Sequence, residues 1–284
     1  MRILLTGRGG QVGSALERSL APLGEISAFD REGLDLSNSD AIGAAIKKVK
    51  PDVIVNAAAF TAVDRAEKEK DVAFAVNAGA VEKLAREAES LDALLIHFST
   101  DYVFDGEKKI PYVETDLPNP LSVYGRSKLQ GERSIATSGC RYFIFRTSWV
   151  FGPVGRNFLH AILAAAKAKP ELRVVDDQRG APTSSLAIAG AVAQVIGDRD
   201  SLKKPSGIYH LSAAGETTWY GFAREILAAK GLKAPVVPIS SAEYGAPARR
   251  PRNSLLDNSK AGAAFGVRIP DWREDLAAVL AAIH

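Results

Sequence analysis

The sequence predicts an α/β protein: a doubly wound, Rossmann-like parallel sheet with a smaller C-terminal substrate-binding lobe. Three observations predict it. Short apolar runs alternate with helical patterns whose apolar residues recur every three or four positions. The runs lack polar alternation, as expected of strands covered on both faces. A glycine-rich turn leaves the first run directly and opens the first helix.

In chain order, strands are expected at 3–6, 26–29, 53–56, 94–99 and 142–147, with helices at 12–20, 40–48, 72–88 and 123–135 between them. After Trp149 the alternation loosens, and loop signals appear at Gly152-Pro153, Gly180-Ala181-Pro182, Lys204-Pro205 and across 245–253. Helices are expected there at 158–168, 185–195, 219–229 and 272–283, some returning to the first sheet and some covering a substrate. The division predicted is a dinucleotide-binding domain of 1–150 with 182–212, and a substrate-binding lobe of 151–181 with 213–284.

The 284 residues, 46% of them apolar and 24% charged, suffice for a buried core. Lys and Arg (36) are interspersed with nearly as many Asp and Glu (33), which argues against a nucleic-acid partner. The opening apolar run, Ile3 to Leu5, is too short for a signal-peptide core or a membrane span, so a cytoplasmic protein with no membrane partner is expected. One cysteine, Cys140, forms no internal disulfide, and four scattered histidines suggest no metal site.

Chemistry enters first at Gly7-Arg8-Gly9-Gly10-Gln11-Val12-Gly13. Gly7 permits a sharp exit from the strand, Gly10 lets backbone amides approach a pyrophosphate, and Gly13 lets the helix pack close to the sheet. Asp30 ends the second strand at the interval expected of a carboxylate on the adenosine ribose, which favours NADH; Arg31 beside it could meet a 2′-phosphate, so NADPH or NADH stays open. Asn56-Ala57-Ala58-Ala59, ending the third strand, would let a flat ligand lie close, or merely tighten packing. Asn77 is open between a hydrogen-bond bracket and a catalytic role.

The decisive constellation is Ser99-Thr100-Asp101 leaving the fourth strand and Tyr124-Gly125-Arg126-Ser127-Lys128 starting the next helix. Tyr and Lys four apart share a helix face. A Lys128 ammonium there would lower the Tyr124 pKa, letting the phenol protonate a carbonyl oxygen as it gains charge, with the Thr100 hydroxyl holding that carbonyl. An interface tyrosine and a solvated lysine are the bland alternative.

These segments resemble the extended short-chain dehydrogenase/reductase family over nearly the whole chain, and within it the reductases of nucleotide-linked 4-keto deoxysugars. LLTGRGGQVG, PDVIVNAAAFTAVDRAE, STDYVFDG, NPLSVYGRSKLQGE, FRTSWVFG and DDQRGAPT carry the resemblance. It implies Thr100, Tyr124 and Lys128 as the catalytic set. It also implies cofactor contacts from Gly10, Gln11 and Val12 on pyrophosphate, from Asp30, Asp35 and Leu36 around adenosine, and from Ala59, Phe60, Thr61 and Phe98 along a trough, with Lys128 on the nicotinamide ribose. Substrate contacts are implied for Thr100, Asp101, Trp149 and Arg179; a flat indole at 149 would wall a sugar ring, against the alternative of an ordinary buried tryptophan.

The implied reaction is reduction of dTDP-4-dehydro-β-L-rhamnose at C4 by NAD(P)H. The partner expected is thus a small nucleotide-sugar, and the protein a monomer or homodimer. Some relatives carry a glutamate, used in a metal-bridged dimer, where this chain has Ala15, which argues against that bridge. The alternatives are another nucleotide-sugar reductase, a 4-epimerase with no net cofactor turnover, or a non-catalytic cofactor-binding subunit.

Overall fold

The computed structural model describes residues 1–283. Its central sheet is built from β1 (Arg2–Thr6), β2 (Glu25–Phe29), β3 (Val53–Asn56), β4 (Leu94–Thr100), β5 (Arg141–Thr147) and an edge strand, Gly207–His210. The order across the sheet is Gly207–His210, β5, β4, β3, β1, β2. Every pairing is parallel. Chain progression reverses between β1 and β3, so the crevice at their carboxyl ends is where such a sheet places a ligand.

Alternate residues of each strand go to opposite faces. Ile3, Leu5, Val53, Val55, Ile96 and Phe145 pack under α1 (Gln11–Leu20) and the Ser185–Gly197 helix. Leu4, Ile54, Leu95 and Ile144 pack instead under α2 (Ser39–Val49) and the Ala80–Ser90 helix. Each such side chain, fully buried, contributes about 1.5–3 kcal/mol. Asn38 starts α2 by accepting from Asp40 N and Ala41 N, and Lys50 ends it in the left-handed conformation.

The helix expected at 72–88 differs from the one formed. Lys70–Phe74 runs into a π-helical turn at Ala75–Gly79 and continues as Ala80–Ser90. The turn surrounds Asn77, whose side chain bonds outside its own helix. A neighbouring helix also crowds it, since a Cβ on Gly131 would lie 2.2 Å from Asn77 O. Such insertions are frequent near functional sites.

Beyond β5, the Ser185–Gly197 helix packs beside α1 and the edge strand extends the sheet. The rest is joined by small pieces: a parallel pair, Leu172–Val175 with Val236–Ile239, and two-residue pairings of Val150–Phe151 with Thr183–Ser184 and Arg179–Gly180 with Thr217–Thr218. The last helix, Trp272–Ala281, stops short of the expected 283. Among the described residues no helix is long and apolar enough to cross a membrane.

Candidate active site

The glycine turn is built by contact. Gly7 has φ +77°, and a Cβ there would lie 2.7–2.8 Å from the Ala57-Ala58 backbone, so the loops after β1 and β3 touch. A Cβ on Gly13 would fall 2.0 Å from Gly7 O. No side chain caps α1 at Gly10, which leaves its first-turn amides able to meet an anion. Val12 packs against the core, while the Gln11 side chain accepts from Asn157 Nδ2 at 2.9 Å, tying the turn to the segment after β5.

Asp30 lies exposed just past β2, beside Gly9, with Oδ1 accepting from Gly33 N at 2.8 Å. Asp35 Oδ1 accepts from the amide and hydroxyl of Ser37, which hold its carboxyl below the usual range. The Leu36 side chain is buried in the core with Ile54 and Leu95. In the loop after β3, Ala59 and Thr61 flank Phe60, which Asn77 clamps: Phe60 N donates to Asn77 Oδ1 at 2.8 Å, and Asn77 Nδ2 donates to Phe60 O at 3.1 Å. Asn77 is thus a hydrogen-bond bracket, and the Phe60 ring it positions packs against the same Ala66–Ala73–Val123 cluster as Tyr124. These features fit a dinucleotide: an uncapped helix N-terminus, a close-packed glycine turn and a carboxylate past β2.

At the tip of β4 the Thr100 hydroxyl donates to Asp101 Oδ1 at 3.0 Å and accepts from Tyr102 N at 3.2 Å. It also acts on the Tyr124 phenol, opposing the rise that burial causes. Burial pushes the Asp101 carboxyl up to about 6, opposed by the hydroxyls of Ser254 and Thr100. Among the described residues Ser99 Oγ, Asp101 Oδ2 and Thr147 Oγ1 are buried without hydrogen-bond partners, and Thr147 is the register neighbour of Thr100. Unpaired buried polar atoms gathered at one sheet edge suit a polar ligand.

Tyr124 and Lys128 share a helix, but in the cofactor-free fold the Lys128 side chain points away from the phenol that the spacing gave it. Burial raises Tyr124 well above its ordinary value, and Lys128 faces inward, with Nζ donating to Phe98 O at 2.7 Å and lying 3.0 Å from His97 Nε2. Desolvation brings Lys128 down to about 8, with Glu132 opposing. Tyr102 meets the Tyr124 ring edge-on at 5.4 Å. Ser122 caps their helix by accepting from Gly125 N at 3.1 Å, and Val123 N donates to Glu67, fixing the turn that carries Tyr124.

The open indole wall expected at Trp149 is not formed. Trp219 stacks on it at 3.7 Å, and a Cβ on Gly180 would lie 2.5–2.8 Å from three of its ring atoms. Trp149 itself sits at φ +50°. Arg179 is half-exposed, 3.8 Å from Glu216, and its carbonyl accepts from Ser254 N at 2.8 Å.

Sequence reasoning missed His97, Ser254, Trp219 and the Asp64–Arg250 pair. Arg250 grips Asp64 with both terminal nitrogens, at 3.1 and 2.9 Å, fastening the 245–253 stretch near the loop after β3. Only His97 left a signal, as a titratable residue inside the apolar run Leu94-Leu95-Ile96-His97-Phe98.

Comparison with known proteins supplies a family and agrees with the fold. The family described as the RmlD substrate binding domain matches residues 1–284. The chain is similar to a dTDP-4-dehydrorhamnose reductase of Burkholderia thailandensis, 45% identical over 96% of this chain and 96% of that one. A crystal structure of dTDP-4-dehydrorhamnose reductase from Bacillus anthracis in complex with NADP superposes with TM-score 0.93 at 34% identity, covering 99% and 98% of the two chains. A dTDP-4-dehydrorhamnose reductase from Clostridium acetobutylicum gives TM-score 0.94 at 38% identity, covering 99% of each.

Proposed function

The chain belongs to the RmlD substrate-binding-domain family, and from that premise we propose that it reduces the C4 keto group of dTDP-4-dehydro-β-L-rhamnose to give dTDP-β-L-rhamnose. One observation carries the reading: Tyr124, on whose phenol the Thr100 hydroxyl acts, stands with Thr100 at the carboxyl edge of the sheet, beside Asp101 Oδ2, Ser99 Oγ and Thr147 Oγ1, which lack partners among the described residues. NAD(P)H, when bound, supplies the hydride. The first-turn amides of α1 would hold its pyrophosphate, Asp30 and Asp35 would face its adenosine, and Ala59, Phe60, Thr61 and Phe98 would line its trough.

Tyr124 serves as the acid. Its raised pKa keeps the phenol protonated at neutrality, so a proton is ready for the C4 oxygen as that oxygen gains charge. Thr100 and Asp101 orient the sugar by hydrogen bonds, and Tyr124 recovers its proton from solvent. Residues 1–150 with 182–212 carry the cofactor, and 151–181 with 213–284, including Arg179, cover the sugar. In support, the 182–212 stretch supplies the sixth sheet strand.

The test is NAD(P)H oxidation with enzymatically prepared dTDP-4-dehydrorhamnose, with the sugar product identified. Stoichiometric oxidation with dTDP-rhamnose formed is expected. Sugar conversion without net oxidation would make the protein an epimerase, and bound cofactor with no conversion would make it a binding subunit.

A further inference from the structure

Thr6, Asn56 and His97 are register neighbours on β1, β3 and β4, and Lys128 reaches the end of this row from the Val123–Ala136 helix. Thr6, Asn56, His97 and Lys128 are all buried. The chain of contacts is continuous: Thr6 Oγ1 to Asn56 Oδ1 at 2.7 Å, Asn56 Nδ2 to His97 Nδ1 at 3.0 Å, and His97 Nε2 to Lys128 Nζ at 3.0 Å.

One backbone group sets the polarity of the whole row. Ala58 N points at Asn56 Oδ1, at 3.2 Å, and a backbone N–H can only donate. Asn56 Oδ1 is therefore the acceptor, and Asn56 offers its NH2 to His97. His97 must receive that donor on a bare Nδ1, which puts the ring proton on Nε2, facing Lys128. An ammonium has three donors and no acceptor, whereas a neutral amine has one lone pair. Only the amine can take the His97 N–H while donating to Phe98 O. A charged Lys128 in this position would force two donors together, at His97 or at Ala58.

We infer that His97 is a positioning residue for the reduction: it presents an N–H to Lys128 and latches that lysine as a neutral amine in the cofactor-free enzyme. The inference rests on the proposed role of Lys128 in this site. Other groups facing Lys128 do not reverse it. Glu132, on its own helix, is gripped by Arg146 of β5 at 2.8 and 2.6 Å, and Tyr124, one turn earlier, is held neutral by burial. Desolvation pushes both Lys128 and His97 toward their neutral forms, in the same direction as the hydrogen-bond polarity, but burial alone brings Lys128 only to about 8, so the neutral amine at pH 7 rests on the hydrogen-bond geometry.

The latch implies a proton step. When the Lys128 lone pair takes a proton from solvent, its hydrogen bond from His97 is lost, and the ammonium leaves His97 for the side on which Tyr124 stands. The charge expected from the Tyr–Lys spacing thus arises on loading and is absent at rest.

The test uses cofactor-free full-length protein with 15N in its histidine rings and lysine Nζ, assigned with Lys128→Met and His97→Gln. His97 is expected to be neutral with its proton on Nε2, and Lys128 to titrate below an ordinary lysine. Asn56→Asp offers acceptors only, so the His97 proton should move to Nδ1 and the Lys128 titration should rise by roughly a unit or more. A His97 proton on Nδ1 in the wild type, or an ordinary Lys128 titration, overturns the inference, and neither observation needs the variant to fold. Both are made without substrate, so a failed reduction assay would sink the proposed reaction and leave this result to be judged separately.

Discussion

Two buried polar groups of residues lie on neighbouring stretches of β4, and they are finished differently. Below the tip, the Thr6–Asn56–His97–Lys128 row passes from partner to partner with its hydrogen bonds made. At the tip, Ser99 Oγ, Asp101 Oδ2 and Thr147 Oγ1 have none. An unpaired buried polar atom costs about 1–3 kcal/mol, so a fold that keeps three at one edge retains them for something other than stability. The satisfied row fixes geometry, and the unsatisfied tip waits for a ligand.

The largest expected effect falls at the tip. Tyr124→Phe keeps the ring packed against Val123's cluster and Tyr102 and removes only the phenolic hydroxyl. Turnover should fall by about a hundredfold or more, with cofactor affinity and melting temperature close to wild type. Steady-state kinetics beside a cofactor titration check this. Near-normal turnover would remove Tyr124 as the acid.

The next effect is in stability against pH. Folded Asp101 titrates at about 6 against an ordinary 3.8, so the folded state holds its proton more tightly. Its stabilising contribution is complete below about pH 4 and is lost as pH rises through about 6, a difference of roughly 3 kcal/mol. Asp101→Asn cannot ionise, so unfolding free energies at about pH 4 and pH 7 should converge by roughly that amount. Asp275, also raised to about 6, keeps its own share of the slope in both proteins. The same variant should bind the nucleotide-sugar more weakly. An unchanged pH slope would mean that the tip carboxylate is solvated.

How much of this contrast was legible depends on distance along the chain. The strands β1 to β5 were readable because each is an uninterrupted apolar run, and the glycine turn because its residues are consecutive. Thr100, Asp101 and Tyr124 stand out in the sequence because one strand end and one helix start each carry a compact motif. The edge strand Gly207–His210 and the two-residue pairings around Trp149 were not, since two to four residues show no period. The direction of Lys128 was hidden for a different reason. Helical spacing places it on the Tyr124 face, but its long side chain obeys Phe98 and His97, some thirty residues earlier. The stack that closes Trp149 comes from Trp219, seventy residues later.

The smallest effects sharpen the comparison most, because they match two hydroxyls differing only in whether they are paired. Thr6→Val keeps the shape of the side chain and deletes the hydrogen bond to Asn56 Oδ1. It should lower stability by about 1 kcal/mol, the usual worth of a satisfied buried bond. Ser99→Ala deletes a hydroxyl that bonds to nothing, so stability should stay within about 0.5 kcal/mol of wild type or rise. Substrate KM should move the other way, rising in Ser99→Ala and holding in Thr6→Val. Denaturant melts with KM for the pair decide it. Equal stability losses would mean that Ser99 is partnered after all, and the division of β4 into a finished row and a waiting tip would fail at that residue.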